Sequence, residues 1–168
     1  IIIIDRSIFR NNTIQSTGNT YGAGIAIYRP ARITNNLIVN NKMINNGGAT
    51  QGLGAGMHVR LESRHNDNGD ELFAWTYIIN NTIANNSQRL GNGNLNDKGA
   101  GLWFNHIGGK VFLFNNVIWG NEASVEENIN MDFSGQVDLD HNDIQFSSQY
   151  SWFNESTMYD VDPVFVDS

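Results

Sequence analysis

The sequence predicts an all-β solenoid of about five coils, in which short strands of successive coils stack into parallel sheets. Two repeated patterns carry this prediction: an Asn-Asn pair flanked by apolar residues, and a Gly-x-Gly segment followed by alternating apolar residues. A helical repeat would need Ala, Leu, Glu or Lys in its interior, whereas Asn, Gly and Thr fill those places here. We therefore expect about three short strands in each coil.

The Asn-Asn pair defines the first pattern. It occurs at Asn11-Asn12, Asn35-Asn36, Asn80-Asn81 and Asn115-Asn116, and in altered form at His141-Asn142. The residues two before each pair are apolar (Phe9, Ile33, Ile78, Leu113, Leu139), as are those three after it (Ile14, Ile38, Ile83, Ile118, Ile144). Stacked coils place equivalent residues about 4.8 Å apart. The pattern therefore predicts two core columns and a ladder of hydrogen-bonded Asn side chains at a turn.

Two further strands complete each predicted coil. The glycine pattern covers residues 22–27, 54–59 and 99–104, with a version lacking glycine at 128–131. Alternation of apolar and other residues with a period of two is typical of half-buried strands. A third strand is predicted at 31–34, 75–79, 111–114 and 137–140. Trp75, Trp119, Phe112 and Phe114 are interpreted as packing residues, because large aromatics in strands usually pack.

Differences in spacing locate the predicted insertions. Residues 45–53 and 87–98 are expected to bulge from the same edge of neighbouring coils, and residues 61–72 from the opposite edge. The coils are predicted to occupy residues 1–146. Residues 147–168 read as an irregular segment that packs on the last coil and covers its open edge.

These residues resemble the right-handed parallel β-helix proteins of the pectin-lyase-like superfamily. The Asn-Asn-x-Ile and Gly-x-Gly-Ile-x-Ile patterns that carry the resemblance span about residues 4–146. Residues 160–167 look like a segment near the end of many secreted bacterial members. The resemblance implies a right-handed β-helix in a secreted or cell-surface protein. Because the chain lacks an initiator Met, we expect it to be cut from a longer precursor.

Composition narrows the range of partners. The formal net charge is −7 and 16% of residues are charged, so no basic footprint for nucleic acid or anionic lipid is present. The sequence has no Cys, which excludes disulfides and thiolate metal sites. The apolar start at 1–4 is too short to insert into a membrane. Composition leaves the cellular compartment open, and the extracellular or cell-surface location that we expect is what the resemblance implies.

The outward face of the glycine strands is the predicted ligand-binding surface. If Ile25 and Ile27 point inward, the outward columns are Ala26, His58, Trp103 and Asn130, and beside them Tyr28, Arg60, Asn105 and Asp132. Aromatic rings stack on sugar C–H faces, and Arg and Asn supply directional hydrogen bonds. The predicted glycan contacts are Tyr28, His58, Arg60, Trp103 and Asn105. The alternative is an ordinary mixed polar sheet surface on which Trp103 covers a neighbour.

One charged loop offers candidate ligands for a cation. Asp67, Asn68, Asp70 and Glu71 surround a Gly turn and could supply the oxygen ligands that Ca²⁺ prefers. Their spacing does not match a twelve-residue calcium loop, and a solvated turn explains the same residues. No other cofactor is predicted, and the four His residues have no zinc-site spacing.

Three functions follow, of which the first is a non-catalytic structural or adhesive module that spaces a larger protein or binds a polysaccharide. The second is a polysaccharide lyase with Arg60 neutralising a uronate carboxylate and His58 as base, or a glycoside hydrolase. Lys110 or His106 is a further candidate for a lyase residue.

The third function is assembly. The chain would dock onto further coils of the parent chain, or its open coil ends would stack on each other into filaments, and the apolar residues 1–4 provide an edge for this.

Overall fold

The computed structural model shows an all-β fold built from parallel sheets. The residues it describes are 1–46, 52–61, 64–65, 68, 71–72, 75–90, 98–105, 109–123, 128–131 and 137–164. Among them the one helical element is the short 3-10 helix Ser147–Gln149. No helix in this part of the chain has the length and apolar character needed to cross a membrane.

The strands are short. In chain order they are β1 (Ile2–Asp5), β2 (Ile8–Arg10), β3 (Thr13–Ser16), β4 (Thr20–Tyr21), β5 (Ile25–Ile27), β6 (Ala31–Thr34), β7 (Leu37–Val39), β8 (Lys42–Asn45), β9 (Gly52–Leu53), β10 (Met57–Arg60), β11 (Arg64–His65), β12 (Glu71–Leu72), β13 (Trp75–Ile79), β14 (Thr82–Ala84), β15 (Ser87–Leu90), β16 (Leu102–Asn105), β17 (Lys110–Phe114), β18 (Val117–Trp119), β19 (Ile129–Met131), β20 (Val137–Asp140) and β21 (Asp143–Ile144).

The strands pair in the way that a solenoid requires. The first sheet has the order β1-β6-β13-β17-β20, the second β2-β7-β14-β18-β21, the third β3-β8-β15, and the glycine sheet β5-β10-β16-β19. A further parallel pair joins β4 to β9, whereas β11 and β12 pair antiparallel. Each sheet thus gains one strand from each successive stretch of chain, and we call these stretches repeats. A repeat contributes up to five strands rather than the three that were predicted.

The apolar columns of neighbouring repeats form one core. In the first sheet Ile33 stands beside Ile78, and in the second Ile38 stands beside Ile83. These four residues are fully buried and belong to one cluster with the inward side chains of the glycine sheet, including Met57. Burial of one such side chain contributes about 1.5–3 kcal/mol, so the columns supply much of the stability.

The first repeat differs from its predicted alignment. Phe9 stands beside Ile38 and Ile14 beside Met43, and it is Ile4 that stands beside Ile33. The prediction aligned Phe9 with Ile33 and Ile14 with Ile38, which is one strand too early in the repeat. The error arose because the motif recurs within a repeat after five residues as well as between repeats, so a shift by five residues leaves the apolar pattern intact.

Two sharp bends, five residues apart, shape each repeat. The residues at these bends have positive φ angles between 48° and 63°, in the left-handed region: Arg6 and Asn11, Asn35 and Asn40, Asn80 and Asn85, Asn115 and Gly120, and His141 and Phe146. Asn tolerates this conformation better than most residues. Asn is therefore frequent at the bends for a backbone reason.

The residue after each bend builds a ladder. In the first ladder the Asn36 backbone N–H and Nδ2 both donate to Asn81 Oδ1, at 3.0 and 2.9 Å, and Asn81 donates in the same way to Asn116. Asn116 then donates to Asn142. The second ladder runs in the same manner through Asn12, Asn41, Asn86, Asn121 and Asn128. The predicted asparagine ladder is confirmed, and there are two.

The glycine pattern is a partner of the second ladder. A Cβ on Gly56 would lie 2.5 Å from the Gly101 carbonyl oxygen and 2.8 Å from Asn86 Nδ2. In the fourth repeat Asn128 takes the position of the glycine, since the neighbouring residue Ile129 is in register with Leu102. Asn128 then accepts from Asn121 and ends the ladder, which explains why this version of the pattern lacks glycine.

The C-terminal segment contacts the last repeat. The Ile144 N–H donates to Tyr159 O at 3.0 Å, and the Tyr159 N–H donates to Asn142 O at 2.8 Å. Met158 is buried in the core, and Trp152 and Phe153 pack against it. These contacts lie along the edge of the second sheet at β21. The division into 1–146 and 147–168 stays a prediction.

The predicted insertions agree only in part with the structure. Residues 87–90 form β15 in the third sheet, whereas a loop was expected there. Gly52 and Leu53 likewise form β9. In the insertion at 61–72, β11 and β12 make an antiparallel pair. Residues 47–51 and 91–97, the centres of the two other insertions, lie outside the described residues.

Candidate functional site

The glycine sheet presents a column of side chains on the face away from the core. His58 stands in register with Ala26 on one side and with Trp103 on the other, and Trp103 with Asn130. Alternation along the strands puts Met57 and Val59 in the core, so this column faces the opposite way. It is the register that the sequence predicts, and we call His58, Trp103 and Asn130 the histidine column, which lies next to the exposed Ala26.

Aromatic rings surround His58. The imidazole stacks on Trp103 with ring centroids 5.0 Å apart and an interplanar angle of 20°. Tyr21 and Tyr28 lie against it with centroid distances of 4.8 and 5.7 Å. In-register residues on neighbouring strands stack readily because the strands are about 4.8 Å apart. Tyr21 was not among the predicted site residues, since it lies on β4 and only the fold brings it to His58.

The histidine column is buried, in contrast to the open surface expected from the sequence. His58 is 1% exposed and Trp103 is 4% exposed. Tyr28 is 51% exposed, and Arg60 and Asn105, which are in register with each other, are half-buried. Of the predicted glycan contacts, Tyr28, Arg60 and Asn105 are therefore accessible from solvent. The ligand-binding prediction itself stays a prediction.

Burial determines the protonation of His58. Loss of solvent, and secondarily the positive charge of Arg60, lower the pKa of His58 from 6.5 to about 4. The imidazole is therefore neutral at pH 7. Partial burial, helped by Tyr21, raises the pKa of Tyr28, so its hydroxyl is also neutral at that pH.

Several buried polar atoms of this region have no hydrogen-bond partner among the described residues. They include both ring nitrogens of His58, Trp103 Nε1 and Asn130 Oδ1. A buried donor or acceptor without a partner costs about 1–3 kcal/mol. Ring stacking between His58 and Trp103 and burial of their apolar parts are thus the contacts that the described residues supply to the histidine column.

The predicted cation loop falls largely outside the described residues, as do its ligands Asp67 and Asp70. Asn68 lies in an exposed turn, and Glu71 is in the antiparallel pair with His65. In the part of the chain that the structure describes, no three His, Asp or Glu residues are grouped to hold a metal ion. His106 and Asp132 lie outside the described residues, and the Ca²⁺ prediction stays open.

A second group of aromatic residues lies on the outward face of the first sheet. Tyr77 and Phe112 stack with centroids 5.0 Å apart and an interplanar angle of 11°. Trp75 and Phe114 meet Phe112 edge to face, at 6.0 and 5.7 Å. Trp75 is 54% exposed. We call Trp75, Tyr77, Phe112 and Phe114 the aromatic face.

The sequence interpretation assigned most of the aromatic face to packing, and Trp75 does pack edge to face on Phe112, but its side chain is also exposed to solvent. The signal that could have placed it was strand parity. Ile78 was predicted in the core, and side chains of a strand alternate between its two faces, so Trp75 and Tyr77 had to point outward.

Comparisons of the chain with protein-family models, with curated proteins and with solved structures gave no match. The function therefore has to be argued from the residues and their geometry.

Proposed function

We propose that the chain folds as one right-handed parallel β-helix of the pectin-lyase-like type and serves as a non-catalytic structural module of a secreted or cell-surface protein. The observation that carries the proposal is the pair of asparagine ladders. They account for the most repeated residues of the sequence through hydrogen bonds within the fold. Because backbone geometry and packing explain the repeated motif, we infer a structural role for it.

The right-handed helix is supported by the strand order. Each sheet gains its strands in chain order, and every pairing between repeats is parallel. Connections between parallel strands of one sheet are right-handed in the great majority of proteins. A location outside the cell and an adhesive role rest on the family resemblance.

The lyase alternative is less well supported. It requires a base that a polysaccharide can reach and a cation beside it. His58 is 1% exposed, so its ring nitrogens do not face solvent. Arg60 lies near it and is half-buried. The geometry favours a packing role for His58.

The filament alternative would need two open ends. The first repeat offers an edge with exposed Ile1, Ile3 and Ile8. At the other end the backbone of Tyr159 pairs with the last strand of the second sheet. Stacking head to tail would have to displace that segment, so docking of further coils at the first repeat is the form of assembly that fits better.

Purified protein incubated with polygalacturonate and with neutral polysaccharides tests the proposal. We expect neither unsaturated uronate products, followed by their ultraviolet absorbance, nor new reducing ends. His58→Ala and Arg60→Ala serve as matched variants. Product formation by the parent protein that either substitution abolishes would overturn the non-catalytic proposal.

A further inference from the structure

We propose that the aromatic face binds a neutral glycan chain across the first sheet. The ligand class is a polysaccharide of uncharged pyranoses. The inference adds a ligand to the proposed structural role, and it rests on that role only in requiring a rigid sheet. The site differs from the predicted contacts on the glycine sheet, because it lies on other strands.

The rings form one continuous apolar surface. Tyr77 and Phe112 stack in register on β13 and β17, and Trp75 and Phe114 flank them at an angle on the same two strands. Trp75 is 54% exposed although Trp is a costly residue to leave in water. Rings on paired strands lose little freedom on binding, so the cost of ordering the site is small.

The surroundings of the rings supply hydrogen-bonding groups for hydroxyls. Lys110 Nζ lies 2.7 Å from Asp138 Oδ2 and 5.4 Å from the centroid of Phe112. Both charged side chains are close to half exposed, so each retains capacity for a further partner. Arg32 is exposed and in register with Tyr77. A sugar presents apolar C–H faces and polar edges, which such a combination fits.

The balance of charge selects a neutral ligand. The cations Arg32 and Lys110 are matched by Asp138 and Asp140, which are in register with Phe112 and Phe114. His141 lies 2.9 Å from Asp140. A uronate or nucleic acid chain would need an excess of cations at the rings, and the acidic protein as a whole would repel it. An uncharged pyranose chain meets no such penalty.

Titration of the full chain with hexasaccharides of glucose, xylose and mannose tests the inference. Binding is read by calorimetry and by the change in tryptophan fluorescence. We expect at least one of these neutral probes to bind, and Trp75→Ala to weaken its binding about tenfold or more. Tyr159→Ala, which removes an exposed ring from the C-terminal segment, is the matched control and should leave the affinity unchanged.

Four outcomes would overturn the inference. The first is failure of all three neutral probes to bind the parent protein, and the second is an equal loss of affinity in Tyr159→Ala and Trp75→Ala. Preferential binding of polygalacturonate would show that the ligand is acidic. Light scattering that reveals a dimer abolished by Trp75→Ala would show that the occupant is a second copy. Depolymerisation of a probe would overturn the non-catalytic proposal and leave the binding inference intact.

Discussion

The asparagine ladders and the histidine column are both buried polar columns that run from repeat to repeat, yet they solve the problem of burial differently. Asn81 accepts two hydrogen bonds from Asn36 and donates to Asn116 Oδ1 and to two backbone carbonyls. His58 has no partner for either ring nitrogen among the described residues. One column is satisfied by side chains like itself, and the other is held by stacked rings.

The contrast shows that stacking at one spacing satisfies buried polar side chains only when their chemistry suits it. Identical residues about 4.8 Å apart can donate to and accept from each other only if each carries both a donor and an acceptor, as an amide does. A mixed column such as His58, Trp103 and Asn130 cannot form that chain. The ladders therefore stabilise the stack of repeats, whereas the histidine column makes the free energy of unfolding depend on pH.

Breaking a ladder should have the largest effect. Asn81→Ala leaves the buried Asn36 backbone N–H without its acceptor and removes the bonds that Asn81 donates to Asn116 Oδ1 and to the Ile33 carbonyl. We expect a loss of about 3–4 kcal/mol in the free energy of unfolding. Chemical denaturation of the purified variant measures it. Loss of less than about 1 kcal/mol would mean that the ladder contributes little.

Protonation of the histidine column should have the next largest effect. The unfolded chain binds a proton at His58 near pH 6.5, while the folded chain binds it only near pH 4, so stability falls as the pH falls between these values. The loss is at most about 3 kcal/mol. Tyr21 and Tyr28 pack against His58, and Arg60 is the cation whose charge acts on it.

Unfolding measured from pH 7 to pH 4 checks this in His58→Phe, which keeps a ring beside Trp103 but does not titrate. The variant should lose less stability on acidification than the parent protein. Equal slopes in the parent and in His58→Phe would contradict the assignment.

A smaller effect is expected where the glycine strands meet the second ladder. Gly56→Ala forces a Cβ against the Gly101 carbonyl and Asn86 Nδ2, so one of them must move, at a cost of about 2 kcal/mol. Thermal melts of Gly56→Ala measure this cost. Gly18→Ala is the control, since a Cβ there would lie 3.8 Å from its nearest neighbour, Ser16 Oγ, and should fit without strain. If both substitutions prove neutral, the close packing of the ladder is not a constraint.

The smallest effect should come from the bend beside the ladder. Asn80 is exposed with a φ of 57°, and Asn80→Ala should cost about 1 kcal/mol because Ala disfavours that conformation. Asn80→Gly should cost less, since both substitutions lose the exposed bond from Asn80 Nδ2 to Asn35 Oδ1 but Gly adopts the bend without strain. The difference between the two Asn80 variants therefore measures backbone strain. Equal losses in Asn80→Ala and Asn81→Ala would mean that the two residues do not have separate roles.

Much of the architecture was predictable because its causes are local. Apolar columns, strand alternation and Asn at turns are visible in the sequence as spacing, so the parallel sheets and a ladder followed from it. Tyr28, Arg60 and Asn105 were placed on the correct strand face for the same reason. The second ladder was missed because the predicted pattern took one Asn pair from each coil and left out Asn40-Asn41 and Asn85-Asn86.

The candidate sites were less predictable because burial depends on what covers a strand. Alternation predicts that His58 and Trp103 point away from the core, but it does not state whether another part of the chain covers them. The same rule placed Trp75 outward, where it is exposed. Two outward aromatic groups with equal sequence signals thus differ in access to a ligand.

The sequence by itself determined the strand pattern, the inward columns and the need for asparagine at the bends, since each follows from the geometry of a few adjacent residues. Only the tertiary structure decided the register of the first repeat, because the five-residue motif fits two alignments equally well and the pairing of Ile4 with Ile33 selects one. It also decided that His58 is buried and Trp75 exposed, because solvent access belongs to the assembled sheets.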